Sequence, residues 1–267
     1  MMSSMLQPLV VEAAKTEIIH RYHHAKARIK ADGSLVTEAD LAVQRHIETG
    51  LAARWPEIPL LGEEMDPEAQ RRVVDADRFW CLDPLDGTTN FSTGLPYFCI
   101  SLALIEHGRT VTGVIYDPIR EESFRADLGR GACLNDTPFH LASTSTSLKE
   151  SVALIDFKRL PSELIGRLAE APPYRSQRNF GAIALEWCWL AAGRVDVYLH
   201  GSQKLWDYAA GSLIFDEAVG SARLFDSIGG ALSAELTLAP RAAIAATNPA
   251  LLQTWGMDKR PLIRDSP

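Results

Sequence analysis

Cysteine is scarce: four occur in 267 residues, and Cys81, Cys99, Cys133 and Cys188 lie far apart without a C-x-x-C pair. Their mostly apolar neighbours point to reduced thiols in a core, which excludes a disulfide framework and a zinc cluster. Long hydrophobic runs are missing as well. The N-terminal apolar stretch, residues 6–11, is short, holds Pro8 and is closed by Glu12. Neither a targeting segment nor a membrane span is expected, and the reading is a cytoplasmic protein without a membrane partner. Positive charge is outnumbered, with 27 Lys and Arg against 34 Asp and Glu and a formal net charge of −7. A phosphate-backbone binder shows a basic stripe, so nucleic acid is excluded as the main ligand. The one basic cluster, His20-Arg21-Tyr22-His23-His24 with Lys26, Arg28 and Lys30, reads as a solvated helix face. Linkers, repeats and low-complexity tracts are absent, so residues 1–267 read as one domain, and 46% hydrophobic residues suffice for a sizeable core.

What the chain does have is carboxylates at the ends of apolar runs. Phe79-Trp80-Cys81-Leu82 leads into Asp83-Pro84-Leu85-Asp86-Gly87-Thr88-Thr89-Asn90. Proline biases the residue before it toward an extended backbone, so Asp83 should close a strand, while Pro84 and Gly87 bend the chain immediately afterwards. Asp83 and Asp86 then converge. Asp, Pro and Gly also make ordinary turns, but the context favours chemistry. Leu60-Leu61-Gly62-Glu63-Glu64 is a second apolar run ending in acids, and Asp207 interrupts Leu205-Trp206-Asp207-Tyr208-Ala209-Ala210-Gly211. A buried carboxylate is unfavourable unless it is paired or ligates a metal. Acids placed repeatedly beside buried sequence therefore ask for a shared hard cation, for which Mg²⁺ is the natural choice. Glu63 and Glu64 are neighbours in an extended segment and should point opposite ways, leaving Glu63 alone at the site.

Periodicity predicts an amphipathic helix over residues 6–29 and a second over 37–53, with Thr37 as N-cap. Strands follow at 98–106 and 110–116 around His107-Gly108-Arg109, then a hairpin from 122–125 past Gly129-Arg130-Gly131. The second half reads as a strand at 152–156, helices at 162–170 and 181–192, a strand at 195–199, a helix at 205–219, and strands at 223–225 and 242–246. The fold class is α/β, of the mixed α+β kind, in layers.

Four segments in this order, Asp32-Gly33-Ser34-Leu35-Val36-Thr37-Glu38-Ala39-Asp40, Gly62-Glu63-Glu64, Asp83 through Asn90, and Trp206-Asp207-Tyr208-Ala209-Ala210-Gly211, resemble the inositol monophosphatase family of Mg²⁺-dependent phosphomonoesterases. The resemblance sharpens the fold to a layered αβαβα sandwich of the sugar phosphatase type. It implies two or three Mg²⁺ ions: one held by Glu63, Asp83 and the Leu85 carbonyl, a second by Asp83, Asp86 and Asp207, and a weaker third helped by Glu63. It implies an attacking water activated by metal, with Thr88 and Asp40 orienting it or accepting its proton. Thr88 should also cap a short helix whose N–H groups, with those of Gly87 and Thr88, receive phosphate oxygens. Lys30 either lies near this site, as in relatives, or is solvated.

Substrate contacts are expected from Asp86, Gly87, Thr88, Asp207, Gly181, Ala182, Ile183 and His200, with His200, at a strand end beside Gly201, read either as a substrate donor or as a structural or exposed residue. Two of these depart from the family pattern. His200 stands where inositol-selective relatives carry an acid, and Phe180 and Ile183 in Arg178-Asn179-Phe180-Gly181-Ala182-Ile183 are bulkier than usual. The expected reaction is hydrolysis of inositol 1-phosphate or a similar polyol phosphate. Histidinol phosphate, fructose 1,6-bisphosphate and 3′-phosphoadenosine 5′-phosphate are the alternative substrates, and Thr89-Asn90 weighs against the last. The resemblance also brings a homodimer, and an alternative role as an interaction protein of the transcription machinery.

Overall fold

Two helices that are apolar on nearly every side lie at the centre of the molecule, because a helix without a polar face must be covered all round. The computed structural model describes residues 1–22, 27–30, 33, 35–141, 147–218, 220–226 and 236–256. Its first half contains α1 (Met2–Ala13), β1 (Arg28–Ile29), β2 (Leu35–Val36), α2 (Glu38–Arg54), β3 (Leu60–Gly62), α3 (Pro67–Val74), β4 (Arg78–Asp86) and α4 (Thr88–Thr93). A meander follows: β5 (Cys99–Glu106), β6 (Arg109–Asp117), β7 (Glu122–Asp127), β8 (Ala132–Leu134) and β9 (Thr137–Phe139). The second half adds β10 (Val152–Asp156), α5 (Ser162–Glu170), β11 (Ser176–Arg178), α6 (Ile183–Ala191), β12 (Val197–Gln203), α7 (Leu205–Glu217), β13 (Ser221–Asp226), β14 (Arg241–Ala246) and α8 (Pro249–Gly256).

Seven strands form one sheet in the order β3-β4-β5-β6-β7-β8-β9, and five form another in the order β11-β10-β12-β14-β13. The apolar α6 and α7 are packed between the two sheets, where Trp187, Leu190, Tyr208, Ile214 and Phe215 join side chains of both. The amphipathic α1 and α2 cover the outer face of the larger sheet through Leu6, Val10, Val43 and Ile47. The outer face of the smaller sheet is covered by α5 and α8 through Leu164, Leu168, Leu251 and Trp255. The result is the expected αβαβα layering. All four cysteines are free and buried. Among the described residues no helix is long and apolar enough to cross a membrane.

Several boundaries differ from the sequence expectation, each for a physical reason. The first helix begins at Met2, because Ser3 occupies a core-facing position and its hydroxyl bonds Asp127 at 2.7 Å. A polar residue at a buried position hid the period. Beyond α1 the helical run continues through a π-helical stretch, Ala14–Ile18, and a 3₁₀ turn, Ile19–Arg21, and stops there. Arg28 and Ile29 are instead in a strand pairing with Val36 and Leu35. The basic cluster is only partly described, since His23, His24 and Lys26 lie outside the described residues. The strand expected at 195–199 runs on to Gln203, which places His200 inside β12 between Asp156 of β10 and Ala243 of β14.

Candidate active site

The site begins with a strand irregularity. Across β4 and β5, Asp83 pairs with Ser101 but Asp86 pairs with Cys99, so three steps on one strand match two on the other. In a regular strand, residues three apart face opposite sides; one extra residue brings them back to the same side. This bulge, at Pro84-Leu85, is why Asp83 and Asp86 act together. Gly87 then turns the chain with φ of 93°, and a Cβ there would meet the Tyr97 carbonyl at 3.0 Å. Gly87 is the N-cap of α4 and Thr88 its first residue, so the expectation that Thr88 caps this helix is corrected. Its hydroxyl lies 2.9 Å from the Leu85 carbonyl and 3.2 Å from Asp40 Oδ1 instead.

Three other elements deliver acids to the same end of β4. Strand β3 runs parallel to it, and the Glu63 N–H continues the ladder to the Leu82 carbonyl at 3.2 Å, beside Asp83. Asp207 is in the first turn of α7, where its Oδ2 accepts the Lys204 N–H at 2.8 Å. Trp206 packs in the core. Asp40 is in the first turn of α2, its Oδ2 accepting the Thr37 N–H at 2.8 Å and the Thr37 hydroxyl at 2.6 Å. This is a reciprocal capping box, and it fixes the carboxylate that touches Thr88.

Electrostatics identify the group as one cluster. Burial raises the pKa of Asp83 well above the carboxylate range, and Glu63, Asp86, Asp207 and Asp40 raise it further. Asp86 is pushed up to about 7, mainly by burial, although N–H groups at the start of α6 oppose the shift. Asp207 is raised by burial, then by Asp86 and Glu63, and Asp40 by burial, against the hydrogen bonds from Thr37. Lys30 is at the rim, with Nζ 2.8 Å from Glu63 Oε1 and 2.7 Å from Glu64 Oε1. Of the two readings of Lys30, the structure selects the one near the site. It also corrects the expected divergence of Glu63 and Glu64, since one ammonium holds both.

The chemistry of this donor set fits a divalent cation. Asp83 and Asp86 are buried, repel one another, and among the described residues have backbone or thiol donors as their partners, not Lys or Arg. A hard cation supplies the charge these oxygens lack. As placed, no three His, Cys, Asp or Glu side chains among the described residues close around one point as a finished cation cage. The carboxylates rest on backbone donors instead: Asp83 on the Leu85 N–H at 3.0 Å, Asp86 on the Ala184 N–H at 2.6 Å, and Asp207 on Lys204.

Gly181, Ala182 and Ile183 border this cluster. A Cβ on Gly87 would come within 3.1 Å of Ala182 Cβ, and Asn90 Nδ2 donates to the Phe180 carbonyl at 2.6 Å. The ring of Phe180, bulkier than the family pattern, packs on Tyr97 and Trp189 at centroid distances of 4.9 and 5.1 Å. Of the two readings of His200, the structure selects the structural one and corrects the expected substrate contact. The side chain is buried, its Nε2 lies 3.3 Å from Asp156 Oδ2, and its Nδ1 accepts the Ser202 N–H at 3.2 Å. Both ring nitrogens are used inside the protein, so His200 offers no donor to a ligand. Burial lowers its pKa despite Asp156, which keeps the ring neutral near pH 7.

Sequence reasoning passed over Glu186, although a lone acid in the apolar run Ile183-Ala184-Leu185-Glu186-Trp187-Cys188-Trp189 was a visible signal.

A model of the inositol monophosphatase family matches residues 2–259. The chain belongs to the inositol monophosphatase family. Inositol monophosphatase 1 of Solanum lycopersicum is 33% identical over 263 residues, 92% of either chain. The Nus factor SuhB of Pasteurella multocida is 36% identical over 196 residues, 72% of either chain. Among solved structures, the IMPase of Thermotoga maritima superposes with a TM-score of 0.80 at 28% identity, covering 97% of this chain and 95% of that one. The mixed α/β architecture described above is thus the fold of the inositol monophosphatases.

Proposed function

We propose that this chain is a Mg²⁺-dependent phosphatase that hydrolyses inositol 1-phosphate or a similar small polyol phosphate. The observation that carries the reading is the convergence of Glu63, Asp83, Asp86 and Asp207, from three separate segments, into one mutually repelling and largely buried cluster. In this reading Glu63, Asp83 and the Leu85 carbonyl hold one ion, Asp83, Asp86 and Asp207 a second, and Glu63 helps with a third. Mg²⁺ at this place supplies a Lewis acid that activates water and neutralises phosphate charge. The four carboxylates carry four negative charges, which two such ions balance.

The chain's own groups do the rest. Asp40 and Thr88, joined at 3.2 Å, orient the attacking water and take its proton, and the buried Asp40 has a pKa raised toward that task. Gly87 and Thr88 turn backbone N–H groups toward phosphate oxygens. Gly181, Ala182 and Ile183 form the wall against the polyol, with Asp86 and Asp207 beside it. Because His200 and Phe180 are engaged within the protein, polyol hydroxyls are read by other groups than His200.

Phosphate release from inositol 1-phosphate, histidinol phosphate, fructose 1,6-bisphosphate and 3′-phosphoadenosine 5′-phosphate, measured side by side, tests the assignment. Inositol 1-phosphate is expected to be preferred; a preference of about tenfold or more for the nucleotide, a difference of about 1.4 kcal/mol in barrier, overturns it. Asp83→Asn is expected to remain folded and to lose turnover, and a variant that retains turnover removes the metal assignment. A second role, with the transcription machinery, draws support from the 36% identity to a protein named as a Nus factor. A partner that co-purifies with both wild type and the inactive Asp83→Asn chain supports that role, and one lost with activity argues against it. A homodimer is part of the same reading.

A further inference from the structure

Glu186 is a buried acid that none of the steps above uses. It lies in α6, 3% exposed, surrounded by the apolar layer between the two sheets. Its Oε1 accepts two successive backbone N–H groups, from Phe180 at 2.9 Å and Gly181 at 3.1 Å. Gly181 has φ of 76°, a backbone conformation that aims consecutive N–H groups into one concavity suited to an anion. The acceptor is supplied from within the chain, by Glu186 Oε1.

The segment that Glu186 holds is tied to the metal turn at three more points. Asn90 of α4 donates through Nδ2 to both the Phe180 and the Tyr97 carbonyls, at 2.6 and 2.8 Å. Asp86 accepts the Ala184 N–H at 2.6 Å. Ala182 lies against Gly87, whose added Cβ would come within 3.1 Å of it. Gly181 is exposed and Ile183 half-buried, so residues 181–183 flank the open side of the acid cluster. In the phosphatase reading, a ligand whose phosphate reaches that cluster has the rest of its body along this wall.

We propose that Glu186 is a positioning residue for substrate: by holding the Phe180 and Gly181 amides it fixes the wall at residues 181–183 against the metal turn. This deepens the phosphatase reading and rests on it. The wall meets the body of the substrate and not the reacting bond, so its loss weakens binding in ground state and transition state alike. Burial, followed by the charges of Asp86 and Asp156 and against the two hydrogen bonds, raises the pKa of Glu186 to about 8. A side chain of either charge state that keeps Oε1 in place retains the two bonds.

Three variants and two measurements test this. Glu186→Ala is expected to raise KM about tenfold with kcat within about threefold of wild type. Glu186→Gln keeps the accepting oxygen and is expected to stay within about threefold of wild type in both constants. Glu186→Asp shortens the reach by one methylene and is expected to raise KM about tenfold with kcat within about threefold of wild type, a result that can be read even if the alanine variant does not fold. Hydrogen exchange of the Phe180 and Gly181 amides supplies a readout without turnover, and faster exchange is expected in the alanine and aspartate variants. Unchanged exchange in a folded variant overturns the positioning role, as does a glutamine variant whose KM is as high as that of the aspartate. If wild type turns over no phosphate ester, the phosphatase reading fails and exchange alone decides the role of Glu186.

Discussion

At the scale of single residues, the carboxylates divide by what their oxygens touch. Asp40 is built into a capping box, Asp86 receives the first N–H groups of α6, and Asp207 caps its own helix through Lys204. Each has one oxygen anchored on backbone, and Thr88 is the only described hydroxyl against Asp40's other oxygen. The sequence announced the acids themselves, because carboxylates that close apolar runs are conspicuous. His200 was illegible: nothing in the string says that β12 extends past it and buries both nitrogens against Asp156 and Ser202. Glu186 leads to a pH prediction. Its carboxyl is held at about 8, above the ordinary value of 4.5, so the folded chain keeps a proton that the unfolded chain releases. The stability it contributes is complete below the lower value and lost as pH rises through the upper one. In chelated protein, the urea midpoint of wild type is expected to fall more steeply over that window than that of Glu186→Gln; equal slopes contradict it.

At the scale of elements, the functional geometry depends on two departures from regular structure. The bulge at Pro84-Leu85 brings Asp83 and Asp86 to one side, and Gly87 swings the chain into α4. Proline and glycine made both departures readable in the sequence. The long alternating strands and the strongly apolar α6 and α7 were readable too, since each shows a clear period or a clear lack of polar face. Short elements were not: α3, β9, β11 and α8 have three to eight residues, and their positions depend on pairing and packing with distant parts of the chain. Gly87→Ala tests the turn. Its added Cβ would lie 3.0 Å from the Tyr97 carbonyl and 3.1 Å from Ala182 Cβ and Phe98 Cβ, at a φ that side chains disfavour. The substitution is expected to cost about 1–3 kcal/mol, read from the urea midpoint, and to abolish turnover. A midpoint equal to wild type contradicts this account of the turn.

At the scale of the whole molecule, the five layers explain how acids that lie far apart in sequence come to share one place. Sheet, central helices and outer helix each contribute: β3 and β4 deliver Glu63, Asp83 and Asp86, α7 delivers Asp207 from between the sheets, and α2 delivers Asp40 from outside. The order of motifs pointed to this fold through a family resemblance, while periodicity alone reached no further than layered α and β. Burying like charges together opposes folding, and a ligand that binds only the folded chain offsets it by mass action. The measurement that tests the central claim most directly is the melting temperature of chelated protein as Mg²⁺ is added, for wild type and for Asp83→Asn. Wild type is expected to rise progressively with Mg²⁺ while Asp83→Asn rises little; a wild-type chain that melts at the same temperature with and without Mg²⁺ contradicts the account.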